Sequence, residues 1–329
     1  MKALAVVLLL CVVAFADEFA DRELFSQFLR EHPRMYGSRD ELETRFAVFQ
    51  GNLRRIETLR EENPHAQFEV NEFADISLQE FSEKMTSIRP DEVPVTNAYK
   101  PLAHVQGYSA PNEWNWVAQG KIQAVKNQKS CAAVAVQAGG PVYDLSEQEY
   151  VDCDTRSSGC NGGWYFNAWQ YQVENNRALA QSAYYPYQAY QGTCRAYQVQ
   201  GAAPIADYGF PAGSLDRPAT DIELKNSIYA YGSVAIALDA SALQFYSRGV
   251  ISNPASCNGQ VNHGTNLVGY GYDNYAGYYY LMRNSWGASW GENGYARIAM
   301  NQSPSLPDGV CRINKYPAAA CYFTGCRLN

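Results

Sequence analysis

The chain has four histidines, no run of basic residues and, beyond its first 16 residues, no long apolar stretch. Each lack removes a class of function. Twenty-six Lys and Arg stand against 33 Asp and Glu, a net charge of −7. An acidic chain without Lys/Arg clusters cannot supply the phosphate neutralisation on which nucleic-acid affinity rests. No internal segment is apolar enough to suggest a membrane span. No CxxC pair or Cys/His cluster has zinc spacing, so no metal or other cofactor is expected. No internal repeat or low-complexity tract is present. Aromatic residues make up 13% of the chain, which argues against disorder. The 329 residues suffice for two compact domains, or for one large domain plus an extra segment.

The one long apolar run is N-terminal. Lys2 precedes an apolar stretch over 4–15, and Ala14-Phe15-Ala16 is a small-x-small cleavage site, so residues 1–16 read as a secretory signal. Of nine cysteines, Cys11 leaves with that signal. The others are Cys131, Cys153, Cys160, Cys194, Cys257, Cys311, Cys321 and Cys326. An even set in a secreted chain implies up to four disulfides. Asn301-Gln302-Ser303 is a three-residue glycosylation signal.

Three segments follow the signal. Residues 17–85 lack cysteine and are rich in charge. Phe25, Phe28 and Leu29, then Leu42, Phe46, Phe49, Leu53 and Ile56, recur at helical spacing. This pattern predicts two amphipathic helices, the second over 39–61, then a short strand over 68–70 and a small helix from Ser77. Residues 86–109 hold Pro90, Pro94 and Pro101 and show no periodicity, which predicts an extended, cleavable linker. From residue 110 to 329 the composition shifts towards Gly, Tyr, Trp and Cys. Helices are expected over 146–151, with Ser146 as N-cap and Glu149 at the capping-box position, and over 162–174. Strands are expected over 233–238, 265–270, 278–283 and 294–299. Helices followed by antiparallel strands make an α+β domain.

If the linker is cut, His263 is the last histidine left. It precedes a strand-like run, and Asn284 ends a later one. An amide oxygen on the imidazole N–H fixes the tautomer and orients the ring, as a catalytic triad requires. Trp286 is placed to shield that bond from water.

At these residues the chain resembles the papain family of cysteine peptidases, the cathepsin L-like branch especially. The resemblance rests on Val125-Lys126-Asn127-Gln128, Leu145-Ser146-Glu147-Gln148, Gly159-Cys160-Asn161-Gly162-Gly163, Asn262-His263-Gly264 and Asn284-Ser285-Trp286-Gly287. It implies a two-lobe fold, one lobe helical and one an antiparallel β-barrel-like lobe, preceded by a helical inhibitory propeptide. The propeptide's helix pattern appears as Glu41, Arg45, Phe49, Asn52 and Ile56, with Arg60 where a final Asn is usual. Its loop pattern appears as Asn71, Phe73 and Asp75, with Glu69 in place of Gly. The resemblance makes His263 the base, Asn284 the orienting amide and Gln128 the oxyanion donor. It makes Gly162 and Gly163 the backbone that pairs with substrate. Trp164, Tyr165, Ala237, Val261 and Gly264 become the walls of an apolar specificity pocket. It pairs Cys131 with Cys160, Cys153 with Cys194 and Cys257 with Cys311, leaving Cys321 and Cys326 for a tail loop. The implied partners are peptide or protein substrates and the chain's own propeptide.

Two departures weaken the implied activity. Counted without a gap from Gln128, Cys131 is the family's disulfide-forming Cys, and Val134 stands at the nucleophile's place. A second register makes Cys131 itself the nucleophile after a three-residue deletion. The stretch after Val134 is also about a dozen residues shorter than the family's central helix, ~18 Å of helix. Three readings stay open: an inactive homologue in zymogen layout, an active endopeptidase (through Cys131, or with a segment absent here), and a propeptide-type inhibitor of related peptidases. The linker reading carries its own test. The first limited-proteolysis cut should fall within 86–109, as N-terminal sequencing of the earliest large fragment will show. A first cut inside 140–320 contradicts the layout.

Overall fold

The computed structural model describes residues 18–86, 88–89, 100–102, 109–129 and 143–321. The signal, Cys131, Val134 and Cys326 lie outside them.

Helix α1 covers 18–31. Helix α2 (Arg39–Glu62) begins where the Ser38 hydroxyl accepts from the Glu41 N–H, with Asp40 and Glu41 in its first turn and Arg60 in its last. That charge order complements the helix dipole. Phe25 and Phe28 of α1 meet Phe46 and Phe49 of α2 at ring-centroid distances of 5.2 to 5.5 Å. Strand β1 (Ala66–Phe68) follows, and then α3 (Leu78–Met85), closed at its start by a Ser77–Glu80 capping box. The strand lies two residues earlier than the 68–70 expected, because buried Asn63 caps α2 and a short turn leads straight into pairing.

The expected helix-pattern residues hold this unit together. Asn52 donates to the Ala74 and Ile76 carbonyls, both at 2.9 Å. Arg45 grips both oxygens of Glu80 at 2.8 Å. Arg34 and Tyr36 reach Asp75 Oδ2 at 3.2 and 2.9 Å. Arg60, where Asn is usual, donates to the Phe68 carbonyl at 2.8 Å and so pins the end of β1. Glu69, where Gly is usual, accepts from Ser247 at 2.9 Å.

The remaining strands are β2 (Trp114–Asn115), β3 (Leu179–Ala180), β4 (Gly201–Ala203), β5 (Asp207–Gly209), β6 (Val234–Leu238), β7 (Tyr246–Ile251), β8 (His263–Asp273), β9 (Gly277–Arg283), β10 (Tyr295–Ala299) and β11 (Ala319–Cys321). Their main sheet runs β1-β7-β10-β9-β8-β2, with β6 also on β8. Pairing in it is antiparallel except between β7 and β10, which run parallel, so the β lobe is not wholly antiparallel as expected. The helical lobe holds α4 (Glu147–Cys153) and α5 (Tyr165–Glu174); α6 (Asp221–Tyr231) packs on β8. Helix α5 starts three residues later than expected, because Gly162 has φ of 102° and cannot be helical. Ser146 does cap α4, but the Glu149 carboxylate pairs instead with Arg177 at 2.9 Å and the Ala180 N–H at 2.8 Å. Tertiary pairing overrides the expected local box.

The described residues of the expected linker segment dock on the rest of the chain. Ile88 is buried, and residues 100–102 run beside β5, with Lys100 paired to Asp207 at 3.1 Å. Disulfides join Cys153 to Cys194 and Cys257 to Cys311. Cys160 and Cys321 are also disulfide-bonded, to partners outside the described residues. One apolar core runs unbroken from Phe25 and Phe49 through Phe73 and Phe81 to Trp286 and Trp290. The N-terminal unit thus shares its core with the β lobe.

Asn63 is the polar joint of that shared core. Fully buried, it accepts from the Ser252 and Asn253 N–H groups at 3.3 and 3.0 Å and donates to Ser256 Oγ at 2.8 Å. Replacing it with leucine strands these groups at a cost of about 1–3 kcal/mol each. Asn63→Leu should therefore lower the denaturant midpoint by the equivalent of ~2–4 kcal/mol. A change below ~0.5 kcal/mol would show that the joint is wet and replaceable.

Candidate active site

Residues 126–128 lie against 285–287. The Gln128 N–H donates to the Ser285 carbonyl at 2.8 Å, and the Gly287 N–H to the Lys126 carbonyl at 3.0 Å. Gly287 has φ of 86°, a conformation that suits glycine. This pairing brings Gln128, His263 and Asn284 to one place. His263 opens β8 opposite Leu238 of β6, and Asn284 follows the last residue of β9.

His263 Nε2 and Asn284 Oδ1 are 2.9 Å apart. The Ser285 N–H donates to the same oxygen at 2.9 Å, which fixes which way the amide faces. The imidazole therefore donates from Nε2 and keeps its lone pair on Nδ1. Trp286 stacks on the ring at 4.7 Å and both side chains are fully buried, so water does not compete for the bond. Nδ1 has no hydrogen-bond partner among the described residues. Burial pushes the His263 pKa down to about 4, with the Asn284 hydrogen bond opposing the shift. The ring is a neutral base across the physiological range.

Gln128 presents its amide N–H side to the same space. Ser285 Oγ donates to Gln128 Oε1, leaving Nε2 to donate to the Met85 carbonyl at 3.0 Å. Trp286 Nε1 donates to that same carbonyl at 3.0 Å. A peptide carbonyl of the N-terminal unit thus occupies the donor pair. Phe73 and Phe81 pack edge-on against Trp286 at 5.9 and 5.1 Å. Beyond Met85 the Ile88 N–H donates to the Asn262 carbonyl at 2.8 Å, and Trp164 Nε1 donates to the Arg89 carbonyl at 3.2 Å.

Ile88 clusters with Trp164, Tyr165, Ala237 and Val261, the expected pocket walls, and Gly264 is paired with Ala237. Tyr165 is more a core residue than a wall, since it is fully buried and its hydroxyl is tied to the Tyr316 carbonyl. Gly163 also has a packing reason to be glycine: a Cβ there would lie 2.4 Å from Ser157 Cβ. Met85, Ile88 and Arg89 carry no expectation from the sequence, and Ser285 enters there only as part of the Asn284–Gly287 motif, without a role. Met85 and Arg89 act through backbone carbonyls, which leave no side-chain signal. Ile88 does carry one, as a lone apolar residue before Arg89-Pro90. Among the described residues no group of three His, Cys, Asp or Glu could hold a metal.

A buried imidazole, an orienting amide and an amide donor at the seam of two lobes, covered by an N-terminal helical unit, define the layout of a thiol-peptidase zymogen. The comparisons agree. Residues 110–321 match the family described as papain family cysteine protease, and residues 25–81 match the cathepsin propeptide inhibitor domain (I29). Fruit bromelain of Ananas comosus is 34% identical over 312 residues, covering 89% of this chain and 84% of its own. Cathepsin L 2 of Paramecium tetraurelia is 34% identical over 318 residues, covering 92% and 94%. The solved structure of recombinant stem bromelain precursor superposes with a TM-score of 0.75 at 29% identity, covering 93% of this chain and all of that one. The chain belongs to the papain family of cysteine proteases and carries the family's propeptide.

The lowered pKa sets a pH dependence. Between about 4 and 6.5 the unfolded chain binds a proton at His263 that the folded chain refuses. This contribution to stability is complete above 6.5 and is lost as pH falls through that window. An NMR titration of the His263 imidazole should show the neutral Nε2–H tautomer persisting below pH ~5.5, against ~6.5 for a free histidine. A midpoint near 6.5 would mean that the ring is solvated.

Proposed function

We propose that this protein is a secreted or lysosomal papain-family pro-form that does not cleave peptides. One observation carries the reading: Val134 stands where the nucleophile belongs, counted from Gln128. The family's chemistry needs a thiolate to attack the peptide carbonyl. In that scheme His263 takes and returns the proton, Asn284 orients it, and Gln128 holds the oxyanion. Valine has no ionisable atom, so no acyl-enzyme forms there. The lone pair on His263 Nδ1, unpartnered among the described residues, fits a base with nothing to deprotonate. The pocket around Ile88 favours an apolar or aromatic residue of a bound peptide or protein. The N-terminal unit covers that cleft until the linker is cut.

A second reading is an active endopeptidase, through Cys131 or in a product that includes the absent helix segment. The intact His263–Asn284–Gln128 geometry favours it, because selection on catalysis keeps such groups aligned.

Hydrolysis of a fluorogenic peptide with an apolar specificity residue, after linker cleavage, separates the two. The parent should give no turnover above a His263→Ala control. Val134→Cys should stay at least ~100-fold below a variant carrying a family-length helix of about a dozen residues that begins with Cys after Ala133. A sulfur misplaced by ~1 Å forfeits that much. Turnover by the parent that is lost in His263→Ala establishes the second reading. Equal rates for the point mutant and the insertion variant would show that the helix is dispensable.

A further inference from the structure

Two stretches between α3 and β2 dock on the rest of the chain, and they cover different things. Met85, Ile88 and Arg89 fill the cleft. The Met85 carbonyl takes the Gln128 and Trp286 donors, Ile88 sits among Trp164, Ala237 and Val261, and the Arg89 carbonyl accepts from Trp164. Residues 100–102 lie instead beside β5 and the residue that follows it, Phe210.

This second stretch pairs as a strand does. The Phe210 N–H donates to the Lys100 carbonyl at 2.8 Å, the Leu102 N–H to the Phe210 carbonyl at 3.4 Å, and the Lys100 N–H to the Gly213 carbonyl at 2.9 Å. The pairing is parallel, with Pro101 opposite Phe210. In that register the N–H of the middle residue faces away from the partner. Proline therefore gives up no bond there, and it closes the outer edge to a further strand. Side chains hold the stretch as well. Leu102 is 4% exposed and belongs to the apolar core that includes Leu224, Ile228 and Ala319. Lys100 Nζ pairs with Asp207 at 3.1 Å and lies 3.9 Å from the centre of the Tyr208 ring. The surface of β5 leaves room for this approach: a Cβ on Gly209 would stand 2.8 Å from Leu102 Cδ2 and 3.0 Å from the Lys100 carbonyl oxygen. Tyr208 and Phe210, against which the stretch rests, belong to the same buried cluster as the pocket walls Trp164 and Ala237.

We propose that Lys100, Pro101 and Leu102 are the opening strand of the papain-family domain, so that the cut which frees the cleft leaves them on the larger fragment. The assignment rests on the pro-form layout and is independent of whether the cleft cleaves peptides. Freeing the cleft requires Met85, Ile88 and Arg89 to leave. Removing residues 100–102 with them would strand the N–H of buried Phe210, empty the space at Gly209 and leave a cavity where Leu102 enters the core. It would also take away the support behind Tyr208 and Phe210, and through them loosen the back of the specificity pocket. A cut on the N-terminal side of Lys100 opens the cleft and keeps all of these contacts. The domain thus begins upstream of residue 110, where the family match starts.

The test is limited proteolysis of the full chain with a broad-specificity protease, followed by N-terminal sequencing of the large fragment that persists. That fragment should start at or before Lys100. Hydrogen exchange supplies a second readout on the parent: the Lys100 and Leu102 amides should exchange at least ~100-fold more slowly than in a free peptide, both before and after the cut. Leu102→Asp removes the buried anchor, and Gly209→Val fills the space that receives it while leaving residues 100–102 unchanged. Either variant should move the start of the persisting fragment to residue 103 or beyond. A parent fragment that starts within 103–110 would overturn the assignment, as would amides that lose their protection once the chain is cut. Variant fragments that persist with a start before Lys100 would show that docking does not guard the stretch, and would overturn it too. A first cut inside 140–320 would instead contradict the layout on which the assignment rests.

Discussion

Trp286 joins the parts of this molecule. One face of its indole covers the His263 ring, its edge receives Phe73, Phe81 and Trp290, and its N–H reaches the Met85 carbonyl. The first contact keeps water from the His263–Asn284 hydrogen bond. The second fuses the core of the N-terminal unit with that of the β lobe. The third fixes where the covering chain crosses the seam. Large buried aromatics contribute both area and orientation, and here one residue ties the base to its cover.

The electrostatics of the seam follow from the same burial. With no exposed surface on His263, the charged ring loses hydration that one amide oxygen cannot replace. A nucleophilic thiol beside it could repay that loss through a thiolate–imidazolium pair. In the proposed reading Val134 cannot, which leaves a neutral base, an oriented amide and a donor pair already filled by Met85. Such a cleft is suited to holding peptide backbone. The propeptide does this through a row of main-chain bonds from Met85 to Arg89.

Much of this was legible in the sequence, because it rests on side chains at fixed spacing. The run Phe46, Phe49, Leu53 and Ile56 specifies α2 whatever surrounds it. The residues from His263 to Asn284 read as a hydrogen-bonded pair, since each stands at the end of a strand. Other features were not legible, each for a physical reason. Glu149 left its expected cap for Arg177, a partner 28 residues away. Strand β7 alternates poorly because Gly249, at φ of 91°, interrupts its pleat and its register with β1 shifts. Helix α6 was overlooked although Thr220 and Glu223 form a capping box that the sequence displays. The docking of Ile88 rests on a pocket assembled from three distant segments.

The central claim is that the cleft keeps its base and loses its nucleophile. Intact-mass spectrometry after treatment with an epoxide directed at cysteine-peptidase thiols tests it most directly. The linker is cut and the propeptide removed before the reagent is added. The account predicts an unchanged mass for this chain, while an active relative takes one equivalent. A single adduct mapped to Cys131, and absent in His263→Ala, would contradict it.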